Sequence, residues 1–200
     1  MIKIFLFIVF ISFFSGCSLS TPANQWQYKS TTAFNAYKEN FLKQNLVVAQ
    51  ADLKRAIKHA KMSADLTQLA TIYLGECALK TAVSTLIQPC NKYKRIQPLI
   101  ENKSLDTYFD FLQKKEINIE LLPSEYKKSL FDIEKATSFF ISASLLQDNL
   151  NEKDINKILQ KASFYGYKQV VLFWLKKAVK ITKSNKKKKI LLKKILVLSR

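Results

Sequence analysis

The chain has little glycine, proline or histidine. Its 200 residues include three glycines, four prolines and one histidine. Antiparallel sheets joined by tight hairpins normally need more glycine, because their two-residue turns require positive φ angles. This scarcity favours an all-α fold.

The sequence shows no cluster of side chains suited to acid–base or metal chemistry. General acid–base catalysis needs titratable groups that converge, and zinc sites need several Cys, His or carboxylate ligands. The single histidine, His59, lies between Lys58 and Lys61, and we predict that it is solvated at the surface. There is no Gly-rich phosphate loop and no GxSxG or HExxH motif. We therefore expect no enzyme activity, metal or cofactor.

The N-terminal residues have the order of an export signal. Lys3 precedes an apolar run over residues 4–14, and Ser15 and Gly16 separate this run from Cys17. A bilayer-spanning helix needs about 20 apolar residues, so this run is too short to span a membrane and fits a cleaved signal peptide. The alternatives are an uncleaved N-terminal anchor and an ordinary signal peptide followed by an incidental cysteine.

The quartet FSGC at residues 14–17 resembles the lipobox of bacterial lipoproteins. The resemblance implies that residues 1–16 are removed and that Cys17 carries a diacylglycerol and an N-acyl chain. Several acyl chains together hold a protein stably at a bilayer. Ser18 stands where Asp marks inner-membrane retention in this family. The resemblance thus implies a place on the outer membrane, facing the periplasm, or on the cell membrane of a bacterium without an outer membrane.

Acidic residues are absent from residues 155–200. The whole chain has 33 Lys and Arg against 15 Asp and Glu, yet residues 155–200 contain 14 basic residues and no acidic one. Nucleic acid is the usual partner of such a segment, but an exported protein rarely meets it. Anionic lipid, lipopolysaccharide or polysaccharide, or an acidic protein face, remain as partners. The candidate residues for an anionic surface are Lys176, Lys177, Lys180, Lys183, Lys186, Lys187, Lys188, Lys189, Lys193 and Lys194.

This basic end has two interpretations. In one, Leu191, Ile195 and Leu198 of the last helix pack inward and the lysines are merely solvated. In the other, the lysines form a functional cationic face.

Lipidation of Cys17 would leave Cys77 and Cys90 as a pair. Exported proteins occupy oxidising compartments, so a disulfide is the simplest prediction. Closing a loop of about 13 residues contributes on the order of 3 kcal/mol to stability. The alternative is two buried thiols on different helices.

The predicted lipid anchor and tether cover 17–27, and apolar residues recur at helical spacing from Ala33 onward. A helix after the break near residues 44–46 presents a face of mostly small residues, namely Ala49, Leu53, Ala56, Ile57 and Ala60. The other predicted helices cover roughly 28–43, 65–85, 124–146 and 154–165, a segment after Gly166, and a last segment after Ser184 and Asn185.

The small, large, small spacing of Ala49, Leu53 and Ala56 resembles the second helix of a tetratricopeptide repeat, whose period is about 34 residues. One period later, Leu69, Ala70 and Tyr73 resemble the first helix of that repeat, and Ala82 and Leu86 its second. A third segment that resembles this repeat contains Gly166, Val171, Leu175 and Ala178.

The resemblance implies an all-α domain over residues 28–200, built as a TPR-like right-handed array of antiparallel helix pairs. Each pair in such an array buries its apolar face against the next. The alternative is an irregular helical bundle without repeats.

Tetratricopeptide-like lipoproteins commonly act as adaptors or assembly factors. The resemblance thus implies a non-catalytic adaptor that is anchored by lipid and binds an envelope protein. One alternative is an envelope structural protein whose basic C-terminus binds anionic lipid, lipopolysaccharide or a cell-wall polymer. A second alternative is an immunity or inhibitor lipoprotein.

Overall fold

The computed structural model describes residues 25–199. Within this range all regular structure is helical and no strand occurs, which confirms the all-α prediction. The predicted signal peptide and Cys17 lie outside these residues. The α-helices are α1 (Gln25–Leu42), α2 (Leu46–Met62), α3 (Leu66–Thr81), α4 (Asn91–Ile96), α5 (Lys103–Leu112), α6 (Ala136–Leu145), α7 (Glu152–Phe164), α8 (Lys168–Ile181) and α9 (Asn185–Ser199). Short 3-10 turns cover Gln97–Leu99, Ile119–Leu121, Ser124–Lys127 and Leu130–Asp132.

Two apolar helices, α3 and α6, form the centre of the core. Nine of the 16 residues of α3 are buried, as are eight of the ten residues of α6. A helix with apolar residues on all sides needs other helices around it. Accordingly, α3 contacts α1, α2, α4, α5 and α6.

Helices α1 and α2 form a closely packed antiparallel pair. Ala49, Leu53, Ala56 and Ala60 of α2 are buried, and Ile57 packs partly buried beside them, as the sequence predicts. Small side chains let the two backbones approach, and the Ser30 hydroxyl donates a hydrogen bond of 2.9 Å to the Ala56 carbonyl oxygen.

Three of the helix connections use the same three-residue turn, with its middle residue in the left-handed region. These residues are Gln44 (φ 70°), Ala64 (φ 55°) and Gly166 (φ 65°). In the last of these turns the Gly166 and Tyr167 N–H groups donate to the carbonyl oxygens of Ser163 and Ala162, the pattern of a Schellman cap. The repeated turn gives α1, α2 and α3, and then α7 and α8, their antiparallel succession.

The C-terminal helices are held to the N-terminal pair through α8. The Tyr167 hydroxyl, just before α8, donates a hydrogen bond of 3.0 Å to the Glu39 carboxylate on α1. Helix α7 begins with a capping box in which the Asn151 side chain and Asp154 satisfy each other's backbone N–H groups. Helix α9 packs on α8.

The predicted helix over 124–146 is wrong in its first half, because α6 begins only at Ala136. The preceding residues form 3-10 turns joined by extended backbone. Extended residues rise about 3.3 Å each against about 1.5 Å in a helix. This greater reach lets the Tyr126 hydroxyl lie 2.7 Å from that of Tyr108 on α5, while Ile133 accepts a 2.7 Å hydrogen bond from Lys161 on α7. Tertiary contacts outweigh the helical pattern here.

Two further boundaries need correction. Residues 25–27, which we assigned to the tether, belong to α1, because the Trp26 ring stacks on His59 of α2 with centroids 5.6 Å apart. Helix α3 ends at Thr81, so Ala82 and Leu86 do not lie on the second helix of a repeat. Residues 82–90 instead form a loop, in which the Ser84 carbonyl oxygen accepts a 2.9 Å hydrogen bond from the Ser144 hydroxyl.

The left-handed turn residues predict opposite effects of two substitutions on the free energy of unfolding. We expect Ala64→Gly to raise the free energy of unfolding by about 0.5–1 kcal/mol, because relief of left-handed strain exceeds the added entropy of the unfolded chain. Gly166→Ala should lower it by about 1 kcal/mol. At Gly166 an added Cβ has no atom within 4 Å, so that loss measures backbone strain alone. Urea unfolding measures both changes.

Ala51, exposed on α2, supplies the matched control. Ala51→Gly should destabilise the protein by about 1 kcal/mol, the usual cost of glycine within a helix. If Ala64→Gly were as destabilising as Ala51→Gly, the left-handed turn would carry no strain.

Candidate interaction surfaces

The lysines predicted to form an anionic-surface site lie on α8, on α9 and in the turn between them. Nine of the ten are exposed, and Lys177 is half-buried. Lys177 pairs with Asp148 at 3.6 Å, and Lys187 pairs with Glu152. For the other eight, no carboxylate of residues 25–199 lies within ion-pair distance. Most of these lysines therefore lie together on α8 and α9 without a carboxylate partner among residues 25–199.

Helix α9 has apolar residues both on the side that packs on α8 and on its exposed sides. Leu191 is buried against α8 and Ile195 and Leu198 are partly buried, so the inward-packing residues were predicted correctly. Four other apolar side chains point to solvent and were missed. They are Ile190, Leu192, Leu196 and Val197, exposed by 48–72 %. The basic end is thus an amphipathic surface as well as a charged one.

An aromatic ladder runs from the core to the surface at the α7–α8 turn. The ring of buried Phe140 contacts the ring of Tyr167, with centroids 6.0 Å apart. Tyr167 stacks on Tyr165 with centroids 5.5 Å apart, and Tyr165 meets Phe164 edge-on with centroids 5.2 Å apart. Burial, followed by the hydrogen bond to Glu39, raises the pKa of Tyr167, so its hydroxyl stays a donor at neutral pH. Phe164, at the outer end, is 84 % exposed.

The C-terminal end of α1 contacts this ladder through a hydrogen bond. Glu39, which binds Tyr167, is in the last turn of α1, and α2 begins at Leu46. Leu46, Val47 and Val48 are all exposed, Val47 by 87 %. We call Phe164 and Tyr165 the aromatic end. Sequence analysis missed it, because periodicity does not show that Tyr167 binds Glu39, which is remote in sequence.

Cys77 and Cys90 are joined by a disulfide, with their Cα atoms 5.3 Å apart. Cys77 lies on α3 and Cys90 directly precedes α4, where its φ of 48° is left-handed. The bond closes a loop of 13 residues in sequence separation and ties α4 to the central helix.

A cavity of about 210 Å³ borders the disulfide. Its wall includes the buried carboxylate of Glu76, which accepts hydrogen bonds of 2.7 Å from both Lys80 and Lys92. Lys92 belongs to α4, so the ion pairs reinforce the covalent link between α3 and α4. A buried carboxylate needs such partners to offset its loss of hydration, and we assign this cluster a structural role.

His59 is half-buried rather than solvated. Its ring lies under Trp26, and its Nδ1 atom is inaccessible without a hydrogen-bond partner within residues 25–199. Burial, followed by the nearby charges of Lys29, Lys58 and Arg55, lowers the pKa of His59. Its neutral ring thus serves as a packing surface between α1 and α2.

Comparisons of the chain with protein-family models, curated proteins and solved structures found no match. Within residues 25–199, no cluster of three or more His, Cys, Asp or Glu side chains could hold a metal ion. No helix of that range has both the length and the apolar character needed to cross a bilayer.

The disulfide predicts a defined loss of stability. We expect the double substitution Cys77→Ala and Cys90→Ala to lower the free energy of unfolding by about 3 kcal/mol, because the unfolded chain gains the entropy of an open loop. Urea unfolding without reductant measures the change. Reductant should shift the native protein by a similar amount and leave the double variant unchanged. Equal midpoints for the two proteins without reductant would contradict a stabilising disulfide.

Proposed function

We propose that this chain is a non-catalytic, lipid-anchored adaptor that faces the periplasm and binds a protein partner of the cell envelope. The observation that carries the proposal is the aromatic end. There Phe164 is 84 % exposed although its neighbours in the ladder connect it to the core.

Exposed aromatic side chains on a fixed backbone suit protein recognition. Aromatic residues are enriched at the energetic centres of interfaces, where they bury a large apolar area. The Schellman cap at Gly166 and the Tyr167–Glu39 hydrogen bond hold the turn in place. Little conformational entropy is then lost on binding, which favours affinity.

The anchor follows from the lipobox resemblance at Cys17. Helix α1 begins at Gln25, eight residues after this cysteine. Eight residues of fully extended chain reach at most about 28 Å. A lipid on Cys17 would therefore keep the helical domain next to the membrane, where the aromatic end could meet a membrane-associated partner.

Cys17→Ser tests the anchor. Without the thiol no diacylglycerol is attached, and we expect the protein to leave the membrane fraction, since one acyl chain or none binds a bilayer only marginally. Fractionation and mass spectrometry of the N-terminal peptide measure the change. An unmodified Cys17 in the membrane-bound native protein would contradict lipidation.

Phe164→Ala tests the adaptor surface. In crosslinked envelopes we expect the native lipoprotein to capture one near-stoichiometric protein, and the variant to capture it at least about tenfold less well, as for an interface hot spot. Quantitative mass spectrometry of the captured proteins gives the ratio.

Tyr28→Ala is the matched control, because Tyr28 is 69 % exposed on α1 and lies outside the aromatic end. It should leave capture unchanged. Equal capture by the native protein and both variants would remove the aromatic end as the partner site. Absence of any near-stoichiometric protein would argue against an adaptor.

A further inference from the structure

The outward side of α9 carries a continuous stripe of lysines and apolar residues. Along this stripe, residues follow one another at the helical intervals of three and four, and all are exposed. Its members are Lys186, Lys189, Ile190, Lys193, Leu196 and Val197. Leu191, Ile195 and Leu198 lie on the opposite side, against the rest of the fold.

The stripe is ordered along the helix. Its first half is cationic, with Lys186 and Lys189, and its last turn is apolar, with Leu196 and Val197 exposed by 56 % and 72 %. Ile190 and Lys193 join the two halves. Lysine side chains can extend past apolar neighbours and place their ammonium groups at a polar boundary. Such a stripe can therefore present charge and apolar area to one surface at the same time.

The lysines at the start of α9 are electrostatically unfavourable for the helix itself. Lys186–Lys189 occupy the first turn of the helix, which carries the positive end of its dipole. Only Lys187 among these four has a carboxylate of residues 25–199 within ion-pair distance, on Glu152. An anionic surface would relieve this repulsion.

We propose that the outward stripe of α9 binds the anionic phospholipid surface of a bilayer, with its lysines at the phosphates and Ile190, Leu196 and Val197 at the acyl boundary. A soluble polyanion would satisfy the lysines and leave the apolar side chains in water. A neutral bilayer would accept the apolar side chains and leave the charges unpaired. Amphipathic helices with both features lie in the plane of anionic membranes.

The inference goes beyond the proposed adaptor and rests on its location at a membrane. A tether from Cys17 would hold α9 near the bilayer and raise its effective concentration there. Contact of α9 would then fix the orientation of the domain relative to the membrane, which a lipid anchor at one point alone does not do.

The test uses the full-length protein as isolated from membranes, reconstituted in vesicles. One set contains phosphatidylcholine alone, and the other contains phosphatidylcholine with phosphatidylglycerol. Amide hydrogen exchange, read by mass spectrometry, reports on contact at α9. We expect exchange in α9 to be at least about tenfold slower in the anionic vesicles, and this difference to disappear at about 0.5 M salt, where charges are strongly screened.

Two triple variants separate local contact from general charge. Lys186→Gln, Lys189→Gln and Lys193→Gln should abolish the slowing, because each basic group contributes roughly fivefold to membrane partition. Lys54→Gln, Lys58→Gln and Lys61→Gln remove the same charge from the exposed side of α2 and should preserve it. Equal loss in both variants, or equal exchange in the two native vesicle sets, would overturn the proposal. All six positions are exposed, and thermal unfolding checks that both variants fold.

The apolar half has its own test. Leu196→Ser with Val197→Ser should remove most of the slowing in anionic vesicles. If inorganic polyphosphate slowed α9 exchange as strongly, and this apolar variant behaved like the native protein, α9 would be a site for soluble polyanions and the lipid proposal would fail.

Failure of the lipid anchor remains distinguishable from failure of this proposal. Mass spectrometry of the Cys17 peptide reports the anchor directly. If Cys17 is unmodified, the same protein added to preformed vesicles and recovered by flotation still tests α9. Flotation with anionic vesicles only would support the stripe, and absence of flotation with either kind would overturn it.

Discussion

The enclosure of α3 is the constraint on which the described fold depends. Nine of its 16 residues are buried, so the helix is stable only when other helices cover it. Helices α1 and α2 cover it from one direction, while α4, α5 and α6 complete the shell. The disulfide and the Glu76 ion pairs add local links between α3 and α4. Together these contacts hold α3 in place at the centre of the core, and the candidate interaction surfaces lie on the outer helices.

Sequence reasoning predicted features that depend on local pattern. The small-residue face of α2 follows from spacing, and so does the shared helix side of Leu191, Ile195 and Leu198, whose inward packing was one of two interpretations. The helix predicted over 124–146 is wrong before Ala136, because Tyr126 and Ile133 meet partners on α5 and α7 that are remote in sequence. The Cys77–Cys90 spacing left bonding open, since it depends on where α3 ends.

The candidate surfaces were harder to predict than the core. Periodicity shows which residues share a helix side but not which side another helix covers. The apolar residues of α9 point in several directions, and only its packing on α8 shows that Leu196 and Val197 face outward. The aromatic end depends on a hydrogen bond between Glu39 and Tyr167, which are 128 residues apart. A surface that depends on contacts between residues far apart in the chain cannot be recognised from the pattern of a short stretch of sequence.

The packing of α9 mainly on α8 also determines how the protein responds to mild stress. Leu191 is the one buried residue of α9 in the described structure, whereas α3 buries nine. Segments with few buried contacts open locally at a fraction of the global unfolding free energy. The C-terminal helix can therefore detach and melt while the disulfide-linked core stays folded, so its order depends on its surroundings as well as on its own sequence.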